Sequence, residues 1–400
     1  MAGLNETPKG ERLHIAFFGK RNAGKSSLIN AFTGQELSIV SDTKGTTTDP
    51  VLKAMELLPL GPVMIIDTPG IDDEGELGSL RVQKAMQVIR KTDVMVIVTD
   101  CTLPLDETEQ QLISLAVAQK IPYVIAYNKS DLPHPISMEQ EAAVFTSSVS
   151  GEGIDALKQQ IISVASPKNE ERHIVADLLS PGDFVVLVVP LDKAAPKGRL
   201  ILPQQQTIRD ILEAGASAIV CRDSELDATL HKLGTAPRMV ITDSQVFHKV
   251  DSVVPQDVPL TSFSILMARY KGDLSKVVEG VSALSALKDG DPILIAEGCT
   301  HHRQCEDIGT VKIPNLLRKK LGIDPEFHFA SGCDFPENLS DYRLVIHCGG
   351  CTLTEREMQH RLELCKSAGV PVTNYGILLA HLNGILKRSV ELFPAVAELL

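Results

Sequence analysis

The chain contains no tryptophan, and aromatic residues make up only 4% of its 400 positions. So few flat rings exclude the stacking platforms on which single-stranded nucleic acids lie. An excess of positive charge is also missing. The formal net charge is −12, and an acidic protein is a poor partner for phosphate backbones. No nucleic acid is therefore expected among its partners. Apolar runs such as Phe184–Leu191 are strand-sized and far short of a membrane span. Residues 1–11 are polar and lack the apolar stretch of a secretory leader. These features predict a cytoplasmic protein with no membrane partner. In a reducing compartment cysteines serve as ligands or reactive groups rather than as disulfides. Six of the eight cysteines fall after residue 298, so the capacity for soft ligands is concentrated in the last quarter of the chain.

What is present begins with an ordinary globular composition, 44% hydrophobic and 22% charged, on a chain long enough for two or three domains. His14–Phe18 reads as a buried strand running into Gly19-Lys20-Arg21-Asn22-Ala23-Gly24-Lys25-Ser26, after which Ser27–Phe32 begins a helix. That order matches G-x-x-x-x-G-K-[ST] in the strand–loop–helix setting a P-loop requires. Backbone N–H groups of the loop hold phosphates, Lys25 reaches the outer ones, and the Ser26 hydroxyl turns to Mg²⁺.

Three further motifs follow in order. Gly45-Thr46-Thr47-Thr48-Asp49 offers the Thr47 hydroxyl to Mg²⁺ and the γ-phosphate. Asp67-Thr68-Pro69-Gly70 puts a carboxylate near the metal and the Gly70 peptide N–H near the γ-phosphate. Asn128-Lys129-Ser130-Asp131 follows the strand Tyr123–Tyr127. Its aspartate accepts two hydrogen bonds from the N1 and N2 groups of guanine, which adenine cannot donate. Ser147 and Ser148 stand where a last base-contacting loop belongs. The predicted ligands are thus GTP and GDP with Mg²⁺, and Lys25, Thr47, Asp67 and Gly70 carry the hydrolytic roles.

This set, over Leu13 to about Ser166, resembles the TrmE–Era–EngA branch of GTPases. The resemblance implies that Asn22 helps hold a K⁺ ion beside the phosphates. Ile71 stands where Ras-like enzymes have a water-orienting glutamine, and an aliphatic side chain cannot orient water. Slow intrinsic hydrolysis is expected, with K⁺ supplying part of what the glutamine would.

From about 168 to 264 the pattern alternates strand and helix, from strand Phe184–Val189 to strand Pro259–Phe263, and predicts a small, mostly parallel sheet. No ligand cluster is visible there, so the segment reads as a connector whose open sheet edges can pair across a two-fold axis.

From 265 onward, strand Pro292–Ala296 runs into Gly298-Cys299-Thr300-His301, and strand Leu344–Ile346 runs into His347-Cys348-Gly349-Gly350-Cys351. A strand over Val370–Tyr375 follows, then helices over Ile377–Lys387 and Val390–Leu399. Ligands of parallel sheets bind beyond the carboxyl ends of strands, where both cysteine loops lie. The donors suit a tetrahedral zinc site or three thiolates on a 4Fe–4S cluster, and spacing alone leaves the two level. The Cys-x-x-x-Cys-x-x-Cys triad of radical chemistry is absent from the sequence.

Taken with the nucleotide motifs, Cys-x-His followed at a distance by His-Cys-x-x-Cys resembles the HydF family, the FeFe-hydrogenase maturation GTPases. The resemblance spans essentially the whole chain. It implies a homodimer joined through the middle segment and a 4Fe–4S cluster on Cys299, Cys348 and Cys351. It also implies a scaffold that receives a transient di-iron cargo from two radical-SAM maturases and delivers it to apo FeFe-hydrogenase. His301 and His347 complete the motif, each as a fourth ligand or as a partner of the ligands, and Glu306 is a further candidate. Cys305 and Cys333 are read as bystanders. The expected architecture is α/β in three domains: a P-loop GTPase over 1–167, a dimerisation domain over 168–264 and a cluster-binding domain over 265–400. The alternatives are a GTPase of the tRNA-modification or ribosome-assembly type and a GTPase with a structural zinc domain.

The role given to Asn22 has a direct consequence. GTP hydrolysis should run faster in K⁺ than in Na⁺ at matched ionic strength, and equal rates in the two salts would remove Asn22 from that role.

Overall fold

The computed structural model describes residues 9–34, 50–70, 85–134, 142–165, 172–190, 200–299, 307–332 and 334–400. The chain divides into two compact units, Met1–Glu170 and Glu171–Leu400. No described helix is long and apolar enough to cross a membrane.

In the first unit, strands β1 (Leu13–Phe18), β2 (Val51–Leu57), β3 (Gly61–Asp67), β4 (Val94–Asp100), β5 (Tyr123–Asn128) and β6 (Ala143–Phe145) form one sheet in the order β2-β3-β1-β4-β5-β6. Every pairing is parallel except that of β2 with β3. The inner strands are nearly continuous apolar runs because both faces are covered. Alternation along β1 shows how: Ile15 and Phe17 join one core with Leu28 and Leu157, whereas Ala16 and Phe18 join another with Ile97 and Leu112. Asp106 starts the helix Glu107–Ala118 by accepting from the amides of Thr108 and Glu109, and Glu109 answers with a bond from the Asp106 amide.

The second unit holds two four-stranded parallel sheets. β7 (Phe184–Val188), β8 (Ser217–Cys221), β9 (Met239–Thr242) and β10 (Leu260–Ser262) are ordered β10-β9-β7-β8. β11 (Pro292–Glu297), β12 (Glu326–Ser331), β13 (Leu344–His347) and β14 (Val372–Asn374) are ordered β12-β11-β13-β14. The two sheets share one hydrophobic core, with Val186 and Phe247 from one side and Ile295 and Val345 from the other. The helix Phe263–Lys271 joins them. Ser262 ends β10 and caps this helix by accepting from the Ile265 amide, and Asn374 Nδ2 donates to Ser264 O at 3.1 Å. Strand β8 is the edge of its sheet and leaves Val220 exposed, as does Phe184 on neighbouring β7.

Several expected boundaries move. Phe263 and Tyr375 were expected in strands but begin helices. At each boundary a threonine and a small polar cap, Thr261-Ser262 and Thr373-Asn374, lead into an aromatic residue that a strand pattern also accepts, and the cap begins the helix. Helix Leu274–Glu279 passes into a 3₁₀ stretch, Gly280–Ala286. Of Val390–Leu399 only Pro394–Ala397 is α-helical. The span between the cysteine loops contains helix Ile313–Leu321 and edge strand β12, whose mostly exposed pattern gives a weak signal.

Gly280 tests the packing of the 3₁₀ stretch on β14. A Cβ there would stand 2.0 Å from the carbonyl oxygen of Val372. Gly280→Ala is expected to destabilise the second unit by about 3 kcal/mol, read as an earlier denaturation midpoint. An unchanged midpoint contradicts the packing described.

Candidate nucleotide site and candidate metal centre

The nucleotide motifs lie at the carboxyl ends of β1, β3 and β5. Residues Gly19 to Lys25 turn between β1 and the helix Lys25–Thr33, with Asn22 (φ 61°) and Gly24 (φ 85°) in left-handed conformations. Glycine is required at 24, because a Cβ would come within 2.3 Å of Asn128 Nδ2. That amide donates to Ala23 O at 3.0 Å, while Asn128 Oδ1 accepts from the Ser148 amide at 3.2 Å. Asn128 thus ties the phosphate loop to the loop of Ser147 and Ser148.

Lys25 is buried and its Nζ donates to the carbonyls of Gly19 and Lys20 at 2.8 and 2.6 Å. Ser26 Oγ donates to Asp67 Oδ2 at 2.7 Å, which brings two predicted Mg²⁺ groups together. Asp131 Oδ1 accepts from Ser147 Oγ at 2.6 Å, and Lys129 Nζ donates to Asp100 Oδ2 at 2.6 Å. The Asp131 carboxylate is therefore tied to the loop of Ser147 and Ser148, the second loop expected to meet the base. Ser27 lies in the first turn of the helix, and Gly70 is the last described residue after β3. Thr47 and Ile71 lie outside the described residues.

The cysteine loops leave neighbouring parallel strands. Ala296 of β11 is in register with His347 of β13, and the Cys348 amide donates to Ala296 O at 2.9 Å. Cys299 and Cys348 are thereby set side by side. The Cys348 sulfur accepts from the amides of Gly298 at 3.1 Å and Gly350 at 3.4 Å. Lys271, 2% exposed, reaches up from the bridging helix. Its Nζ donates to the carbonyls of Cys351 at 2.9 Å and Leu353 at 2.8 Å.

Cys299, Cys348 and Cys351 line a cavity of about 400 Å³. Its wall also includes Glu297 and Tyr375, whose hydroxyl donates to Glu297 Oε1 at 3.3 Å. The middle segment contributes Leu202 and Pro203 from the start of the helix Leu202–Glu213, and Asp243, Ser244 and Gln245 from the turn after β9. Among the described residues, no three His, Cys, Asp or Glu side chains converge as one metal ion requires.

Burial dominates the electrostatics. It pushes the Cys348 and Cys351 thiols each up to about 11 and raises Cys299 as well. The charge of Lys271 acts on Cys351 in the opposite direction. His347 is pushed down to about 3, first by burial and then by the Arg361 charge, so its ring is neutral. His301, Glu306, Cys305 and Cys333 lie outside the described residues.

Sequence reasoning anticipated the adjacency of the two cysteine loops. It did not find Lys271, Tyr375 or the wall from the middle segment, which it read as a connector without ligands. One signal was available: Glu297 is a carboxylate closing an otherwise apolar strand directly before Gly298-Cys299.

Comparisons with known proteins divide along the chain. Residues 14–129 match the family model described as 50S ribosome-binding GTPase. The chain is 32% identical over 175 residues to the tRNA modification GTPase MnmE of Bordetella petrii, covering 42% of this chain and 38% of that protein. It is 32% identical over 196 residues to GTPase Der of Wolinella succinogenes, covering 44% and 40%. The chain thus spans well under half the length of these relatives. A solved structure of an Aquifex aeolicus Era variant bound to GDP.AlF4- is 21% identical with a TM-score of 0.35, covering 52% of this chain and 92% of that one.

Residues 174–272 match the hydrogen maturase F dimerization domain and residues 275–392 the hydrogen maturase F tetramerization domain. The cysteine loops fall within the second of these. Two adjoining models of one family account for more than half of the sequence, behind a P-loop GTPase domain, as the resemblance read from the motifs implied. The chain belongs to the hydrogen maturase F family.

Proposed function

We propose that this chain is a GTP-hydrolysing scaffold that carries a 4Fe–4S cluster on Cys299, Cys348 and Cys351. On this reading it assembles a di-iron precursor and hands it to apo FeFe-hydrogenase. The observation that carries the reading is the position of the three thiols on the wall of one cavity, at the ends of adjacent parallel strands. Three soft donors with N–H···S bonds to Cys348 fit the thiolate set of such a cluster. When bound, the cluster supplies an iron without a cysteine, open to a ligand of the cargo. The protein's own part is to bind and exclude. Buried thiols lose their protons on loading, Lys271 fixes the Cys351 carbonyl, and the cavity holds space beside them.

The cargo would arrive from two radical-SAM maturases. The scaffold would work as a homodimer paired along the open edge at β8, consistent with the dimerization model over that segment. His301 and Glu306 remain candidates for the exchangeable ligand, and the three-domain division at 167 and 264 is kept as part of this reading.

At the other end, Lys25, Ser26, Asp67 and Gly70, with Thr47, would bind and position GTP–Mg²⁺, with K⁺ beside Asn22. Ser26 and Asp67 are already hydrogen-bonded to one another, as partners sharing one cation site would be. MnmE and Der resemble this first unit only, so tRNA modification is a property of MnmE that the second unit gives no reason to transfer.

Two variants test the two ends separately. Cys348→Ala should lose iron and the 4Fe–4S EPR signal after anaerobic reconstitution while GTP hydrolysis continues. A full signal in that variant refutes the ligand assignment. Asp131→Asn should weaken GTP binding roughly 10–100-fold, the scale of losing a charged acceptor for two base N–H groups. Unchanged GTP affinity contradicts its role in base recognition.

A further inference from the structure

His347 completes the cysteine motif, yet its ring does not face the thiols as a ligand would. It is 3% exposed, and both of its nitrogens are engaged. Arg361 Nη1 lies 3.0 Å from His347 Nε2. A guanidinium only donates hydrogen bonds, so Nε2 holds the lone pair and Nδ1 holds the proton. Nδ1 in turn donates to Cys348 O at 2.8 Å. The imidazole is thus a rod between a buried cation and the backbone of the cysteine loop.

Arg361 has no freedom to release it. The side chain is 2% exposed, with Nε on Glu357 Oε1 at 2.9 Å and Nη2 on Gly332 O at 2.5 Å. Its guanidinium carbon lies 4.9 Å from the centre of the Phe335 ring. If His347 turned its lone pair toward iron, one N–H of a buried guanidinium would lose its acceptor. That loss is costly because both side chains are buried. Turning Nδ1 instead would release the Cys348 carbonyl and require loss of the proton.

We propose that His347 is a positioning residue, held by Arg361, that fixes the Cys348–Cys351 loop, and that it is not an iron ligand. The inference rests on the reading that Cys348 and Cys351 bind a cluster, and it narrows the role of the motif histidine. Glu357 neutralises Arg361, Arg361 orients His347, and His347 pins the peptide that carries Cys348. Partners that orient a metal ligand change metal affinity by about 10–100-fold when removed.

The test compares His347→Gln, whose amide oxygen can still accept from Arg361, with Arg361→Met and Arg361→Lys, all reconstituted anaerobically as full chains. Readouts are iron and sulfide content, pulsed EPR of the reduced cluster, and the rate at which a chelator extracts iron. His347→Gln should keep a complete cluster and every nitrogen coupling seen in the parent protein. Arg361→Met should release iron about 10–100-fold faster, and adding His347→Gln to it should bring no further acceleration. Should Arg361→Met fail to fold, Arg361→Lys, which keeps the charge but not the fork, decides the same comparison. Loss of a nitrogen coupling in His347→Gln, or release from the Arg361 variants at the parental rate, overturns the proposal. A parent protein that takes up no cluster overturns the underlying reading, and this inference with it, before any variant is compared.

Discussion

One backbone hydrogen bond decides where the two cysteine loops of this chain stand. The Cys348 amide donates to Ala296 O, one step beyond the last register pair of β11 and β13. Because the strands are parallel, both leave the sheet on the same side, and whatever follows them must meet there. Cys299 follows one strand, and Cys348 with Cys351 follows the other. A slip of one residue would turn the side chains at the strand ends to the opposite face. The buried residues along both strands, from Ile293 to Ala296 and Leu344 to Ile346, hold the register.

The rest of the second unit closes around that end. The helix Phe263–Lys271 starts at the last strand of one sheet and finishes beneath the cysteine loop of the other, where Lys271 grips two carbonyls. From the helix Glu355–Ser367, Arg361 grips His347. Two buried cations therefore hold the backbone of the cysteine loop, Lys271 directly and Arg361 through His347. Each is stabilised by acceptors that only this fold supplies, as burial of a charge demands. The shared core of the two sheets explains why the middle segment forms part of the cavity wall. It also unites the dimerization and tetramerization regions of the family in one compact unit.

How much of this was legible depended on distance along the chain. The phosphate loop is contiguous, and its glycine at 24 is enforced by a steric limit, so its sequence is nearly its structure. The placement of Asn128 and Asp131 was legible for a similar reason, since their motif starts at the end of the apolar strand β5. The cysteine loops were legible as strand ends. Lys271 was not, because its partner Cys351 lies 80 residues away and nothing local distinguishes it from a lysine in water. Arg361 likewise reads as one more charge on the polar helix Glu355–Ser367 until its neighbours are known. The helix starts at Phe263 and Tyr375 were missed because an aromatic residue after threonine suits a strand as well as a helix start, and periodicity alone does not register the caps Ser262 and Asn374.

The account stands on the identity of what the three thiols hold. A wall of three cysteines beside a cavity suits a cluster that leaves one iron for cargo, whereas a closed zinc site calls for four protein donors around one ion. Elemental analysis of the anaerobically purified and reconstituted chain separates the two most directly. The account predicts a brown protein with about four irons and four acid-labile sulfides per chain and a reduced-cluster EPR signal, in keeping with a 4Fe–4S centre. A colourless protein holding about one zinc per chain, and taking up no iron, would contradict it.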